Sequence, residues 1–103
     1  MRFPKDPKPE RSPKYLEFIR SMPCAVCGTQ RGVEAAHTGP HALGRKASDF
    51  SAIPLCGPCH RTGRVSYHRL GPAEFELVTG LHCAVFAGLL WVEFQGKMRK
   101  RHE

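Results

Sequence analysis

Apolar positions fall into short blocks, and each block has its own spacing. Tyr15, Leu16, Phe18, Ile19 and Met22 recur at helical intervals. Ser12 is a good N-cap, Pro13 suits a first helical turn and Pro23 stops the run, so a helix is predicted from Ser12-Pro13 onward. Residues 33–37, Val-Glu-Ala-Ala-His, read as a short strand, and residues 51–55, Ser-Ala-Ile-Pro-Leu, as a second one that Pro54 weakens. Between them residues 38–46 carry Gly39, Pro40 and Gly44 and read as a loop. Gly71-Pro72 opens a short helix over residues 73–79, with Gly80 as its stop. A further helical segment over residues 81–94 is apolar nearly all round (Leu81, Val85, Phe86, Leu89, Leu90, Trp91, Phe94), which implies burial or a contact with a second copy. Its apolar stretch, residues 81–92, is too short to span a bilayer, so no membrane partner is expected and a homodimer through this helix is.

The 103 residues suffice for one small domain. The reading is a basic, Pro-rich arm over residues 1–11, a single α+β domain over 12–95 and a basic tail over 96–103. The chain has 16 Lys+Arg against 9 Asp+Glu, a formal charge of +7 and a pI near 9.5, which points to a polyanionic partner. A core this small needs a staple, and 5 Cys and 6 His are the obvious source. The opening MRFPKDPKPE has no apolar run, so no secretory signal and a cytoplasmic location are expected. In that setting the Cys read as metal ligands rather than disulfides.

Two CxxC pairs, Cys24/Cys27 and Cys56/Cys59, have 28 residues between them. Each CxxC turn places two sulfurs within reach of one ion, and two turns complete the tetrahedral shell that Zn²⁺ prefers. Gly28 and Gly57 suit the tight backbone of such turns. The rival, a thioredoxin-like redox pair, needs a βαβ context that the pattern lacks. Cys83 lies within the apolar helix and reads as a small core residue.

Zinc does not require His37, His41, Asp49, His60 or His68, which lie between and after the pairs. The order Cys-x2-Cys, Ala-Ala-His37, Pro-Leu-Cys-x2-Cys-His60 and a later His68 resembles the HNH endonucleases of the ββα-metal (His-Me finger) superfamily. Glu34-Ala-Ala-His37-Thr-Gly39, Gly44-Arg-Lys-Ala-Ser-Asp49 and Ile53-Pro-Leu-Cys56 look like a branch common in phages and prophages, as does the lead-in Tyr15-Leu-Glu-Phe-Ile-Arg-Ser-Met-Pro-Cys24. The resemblance spans roughly residues 12–78. It implies a zinc-stapled ββα-metal fold with flanking helices, in a bacterial or phage-encoded DNA endonuclease. His37 then becomes the general base that activates water, a task suited to imidazole because it titrates near neutral pH. A catalytic divalent cation (Mg²⁺, Mn²⁺, Ni²⁺ or Zn²⁺) is expected at His60 and His68, with Asp49 as a further ligand, as a group that orients a His, or as a contact of the Lys46 region. Two departures stand out. Ala36 occupies the position where many HNH enzymes carry a metal ligand, and His60 to His68 is a longer step than the usual three or four residues.

Between Cys24 and Leu70 there are six basic residues and two acidic ones. Arg45, Lys46, Arg61, Arg64 and Arg69 are the candidates for phosphate contacts. The alternative to an enzyme is a catalytically inactive zinc-containing module that only binds nucleic acid.

Overall fold

The computed structural model describes residues 11–39 and 48–102. His41, Arg45, Lys46 and nearly all of the N-terminal arm lie outside them. Helix α1 covers Pro13–Arg20. Its N-cap is Ser12, whose Oγ accepts the Tyr15 N–H at 3.3 Å, and Pro13 takes the first turn, as the sequence requires. Strand β1 covers Val33–His37 and strand β2 covers Ala52–Cys56. A 3-10 turn, Asp49–Ser51, leads into β2, and a π-type turn, Pro58–Thr62, follows it. Then come a one-turn helix α2 (Tyr67–Leu70), α3 (Pro72–Thr79) and α4 (Cys83–His102).

The strands pair antiparallel, with Val33 opposite Cys56, Ala35 opposite Pro54 and His37 opposite Ala52. In a sheet of two strands every strand has a free edge, and this is what admits Pro54. Its carbonyl points away from β1 and accepts the Ala25 N–H at 2.8 Å, so its missing N–H interrupts no ladder bond. All five residues of β2 are buried, sandwiched by α1 and α4.

The core joins Tyr15 and Ile19 of α1, Ala36, Ile53 and Leu55 of the sheet, Phe75 of α3, and Cys83, Ala87 and Leu90 of α4. Tyr15 sits within an aromatic cluster, its ring 5.1 Å from Phe50 and from Phe94 and 5.7 Å from Trp91. Its hydroxyl is buried without a hydrogen-bond partner among the described residues, and burial pushes its pKa up to about 12. An unpaired buried hydroxyl costs roughly 1–3 kcal/mol. Tyr15→Phe is therefore expected to leave the thermal midpoint unchanged or raise it by a few degrees; a drop measured by circular dichroism would mean that the hydroxyl has a partner.

One expectation about the C-terminal segment changes and another narrows. The helix does not give way to a tail at residue 96 but continues through His102. Lys and Arg are good helix formers and suit the negative end of the helix dipole, so the basic run extends the helix. Of burial or a contact with a second copy, burial accounts for only one side of α4: Cys83, Ala87 and Leu90 face the core while Val85, Leu89 and Val92 are exposed.

Candidate metal centre and histidine site

The first CxxC turn folds back on itself. Gly28 N–H donates to the Cys24 carbonyl at 2.9 Å, and Cys24 N–H to the Thr29 carbonyl at 2.8 Å. Gly28 adopts φ +78°, which a side chain would disfavour. The Ala25–Pro54 bond clamps this turn to β2, whose last residue is Cys56. Cys59 follows on the π-type turn, closed by Gly63 N–H donating to the Pro58 carbonyl at 2.7 Å. A Cβ at Gly63 would lie 2.7 Å from that same oxygen, so only glycine permits the closure.

These turns bring the Sγ atoms of Cys24, Cys27, Cys56 and Cys59 within 4.8 Å of one another. Cys27 and Cys56 are 3.6 Å apart. That is far longer than a disulfide, about 2.05 Å. It is close to the edge of about 3.8 Å that follows from four sulfurs 2.3 Å from a tetrahedral zinc. All the cysteines are free thiols. Burial pushes the Cys59 thiol up and the neighbouring Cys56 and Cys24 sulfurs push it further, a crowding of like groups that a cation relieves. The four cysteines thus make a structural metal site suited to zinc. Cys83 is buried at the start of α4, where burial first and Glu76 second raise its pKa to about 11. It is a core residue.

The histidines form two groups beside this frame. His37 ends β1, and its Nε2 lies 2.8 Å from Oδ1 of Asp49 on the 3-10 turn. Asp49 is only 3% exposed. Its Oδ1 also accepts from Arg11 Nη1 at 3.0 Å, and its Oδ2 from the Ser12 N–H at 2.8 Å. Burial works to raise the Asp49 pKa, but the bonds from His37, Ser12 and Arg11 outweigh it and hold the carboxyl below its usual range. An ionised carboxylate only accepts, so a neutral His37 ring holds its proton on Nε2 and turns Nδ1 away as the acceptor nitrogen.

In the second group, His60 on the π-type turn directs Nδ1 at Glu34 Oε1, 2.8 Å away. The Glu34 pKa is lowered, chiefly by that bond and, against the cost of burial, by Arg61. Arg61 grips the same carboxylate side-on, Nε to Oε1 at 3.1 Å and Nη2 to Oε2 at 2.6 Å. A neutral His60 ring therefore carries its proton on Nδ1 and turns Nε2 outward. There it meets His68 Nε2 at 3.1 Å. Ser66 sets this approach: its Oγ donates to the Arg61 carbonyl at 3.3 Å and accepts the Arg69 N–H at 3.4 Å, tying α2 to the π-type turn. His37, His60 and Glu34 line one open groove of about 450 Å³ along Leu16 and Arg20 of α1.

Residues 1–90 match the model of a family described as a protein of unknown function, DUF968. The chain belongs to that family. No curated protein and no solved structure matches it. The DUF968 match takes in both histidine groups and all four clustered cysteines.

The geometry narrows the expected roles, and of those open to Asp49 it favours orienting a histidine. Asp49 does not join His60 and His68: its oxygens are taken by His37, Arg11 and Ser12, and the four cysteines are the one ligand group of three or more among the described residues. Arg61 is committed to Glu34, while Arg64 and Arg69 are exposed. Glu34, Arg11 and Arg20 were not anticipated. Strand alternation carried a signal for Glu34, since it shares a face with Ala36, where a ligand was missing.

Asp49 yields a pH-dependent prediction. Because its folded pKa is depressed, its contribution is complete above the ordinary carboxylate value, about 4, and is lost as pH falls through the folded value. Asp49→Asn is expected to cost roughly 1.5–3 kcal/mol at neutral pH. The gap from the parent should narrow below pH about 4. Urea unfolding at a series of pH values checks this, and a gap that is constant with pH would contradict it.

Proposed function

We propose that the protein is a metal-dependent DNA endonuclease of the HNH type, with a small ββα-metal fold in which β1, β2 and the turn bearing His60 form the catalytic unit. The observation that carries this reading is the pair of oppositely oriented histidines. His37 is held by Asp49 so that Nδ1 can act as the base, and His60 is held by Glu34 so that Nε2 faces His68 Nε2. Both line one groove on a strongly basic chain.

His37 Nδ1 takes a proton from a water, and that water's oxygen forms a bond to phosphorus as the bond to the 3′-oxygen breaks, the leaving oxygen taking its proton from solvent water. The products carry 5′-phosphate and 3′-hydroxyl ends. The Asp49 carboxylate fixes the imidazole and stabilises its protonated form. Nε2 of His60 and Nε2 of His68 suit one divalent cation, since two nitrogens 3.1 Å apart match neighbouring ligands at about 2.1 Å from a shared ion. The chemistry such an ion supplies is positive charge at the developing oxyanion. Glu34 does for His60 what Asp49 does for His37: it sets the tautomer and the ring's direction. Arg20, beside both histidines, and exposed Arg64 and Arg69 supply charge toward the phosphate backbone.

The test is nicking of supercoiled plasmid by parent and His37→Ala protein with Mg²⁺, Mn²⁺, Ni²⁺ or EDTA. Metal-dependent cutting by the parent alone supports the reading. DNA binding with no cutting under any metal would replace it with the binding module, for which Ala36 is the sequence argument.

A further inference from the structure

One side of α4 has no partner among the described residues. Val85, Leu89 and Val92 are 63%, 63% and 64% exposed, and Gly96 continues their spacing. Positions i, i+4, i+7 and i+11 form a single stripe, opposite the buried line of Cys83, Ala87 and Leu90. A Cβ at Gly96 would meet nothing within 4 Å among the described residues, so their packing does not require this glycine. It costs the helix about 1 kcal/mol relative to Ala.

We propose that a second copy of the chain covers this stripe, with the two α4 helices antiparallel. Charge selects the partner and its direction. Arg99 and Lys100 lie at one end of the helix, and a parallel pair would set two such pairs of cations side by side. At the other end lies the α3–α4 corner, where the Glu76 carboxylate is 3.7 Å from His82 Nδ1. An antiparallel pair brings the basic end of each copy to the acidic corner of the other. The stripe is also complementary to itself. Centred between Leu90 and Trp91, the pairing sets Val85 against Gly96 and Leu89 against Val92. The two-fold repeats both contacts and closes the assembly at two chains. This inference does not depend on the proposed activity.

One helix stripe makes a small interface, so association is reversible. Sedimentation equilibrium of the full chain over about 1–200 µM is expected to show the mass rising from 11.5 kDa toward twice that value. Leu89→Lys should remain monomeric throughout, with unchanged circular dichroism and bound metal. Leu77→Lys, at an 83% exposed apolar residue of α3 outside the stripe, should associate like the parent. Gly96→Leu has open space in the single chain and so keeps the fold, yet it fills the room opposite Val85 and should weaken association at least tenfold. A parent that stays monomeric overturns the proposal, as does a Leu89→Lys protein that associates like the parent. A monomeric parent that co-sediments with anionic vesicles through Leu89 would assign the stripe to a membrane surface instead.

Discussion

Replacing His37 with Ala is expected to abolish plasmid nicking and leave the folded protein, its metal and its DNA affinity in place. A positioned general base contributes about 10²–10⁴ to rate, so cutting should fall at least a hundredfold. The fold should tolerate the change. His37 is the last residue of β1, a third of its side chain is exposed, and Asp49 keeps its bonds to Ser12 and Arg11 when the imidazole is removed. The measurement is a single-turnover nicking rate beside circular dichroism, metal content and DNA anisotropy for both proteins. His37→Ala cutting at the parent rate would remove His37 from the mechanism. Loss of DNA affinity together with cutting would mean that His37 serves binding instead.

Removing the metal from the four-cysteine site is expected to unfold the protein. A structural zinc of this kind contributes roughly 10–16 kcal/mol. That equals or exceeds the net stability of a whole domain, about 5–15 kcal/mol. Cys24 and Cys27 precede β1, while Cys56 ends β2 and Cys59 begins the turn that carries His60. Without the ion, four crowded sulfurs remain where the two halves of the sheet unit meet. Cys56→Ser, or exhaustive chelation, should abolish the cooperative thermal transition. Cys83→Ala should retain bound metal, because Cys83 lies outside the cluster. One zinc per folded chain by atomic spectroscopy, lost in step with structure, is the expected result. Metal-free protein that melts cooperatively at the parent temperature would show that the site is dispensable for folding.

The elements that were legible in the sequence have local causes. Ser12-Pro13 sets the start of α1 because capping and a fixed proline φ act within one turn. The strand over Val33–His37 and the helix stop at Gly80 are local in the same sense. The extent of α4 was misread because a basic run looks like a solvated tail when its charges are counted and like a helix end when its dipole is. For Asp49 the sequence offered an orienting role beside a ligand role and could not choose between them. The choice is decided by partners 12, 37 and 38 residues away, and nothing near Asp49 in the chain names them. Arg61 shows the same limit: its charge suggested phosphate, but β1 delivers Glu34 to it first.

By itself the sequence determined the membership of the metal site, since a CxxC turn fixes two sulfurs by short-range geometry and two such turns fill a tetrahedral shell. It also determined the basic character of the chain and the positions of His37, His60 and His68 along it. Only the tertiary structure decided which nitrogen of His37 and of His60 faces a carboxylate, because that depends on the acid packed against each ring. It alone decided which side of an all-round apolar helix is covered. Composition makes every face of α4 suitable for burial, but this small core has room to bury only one.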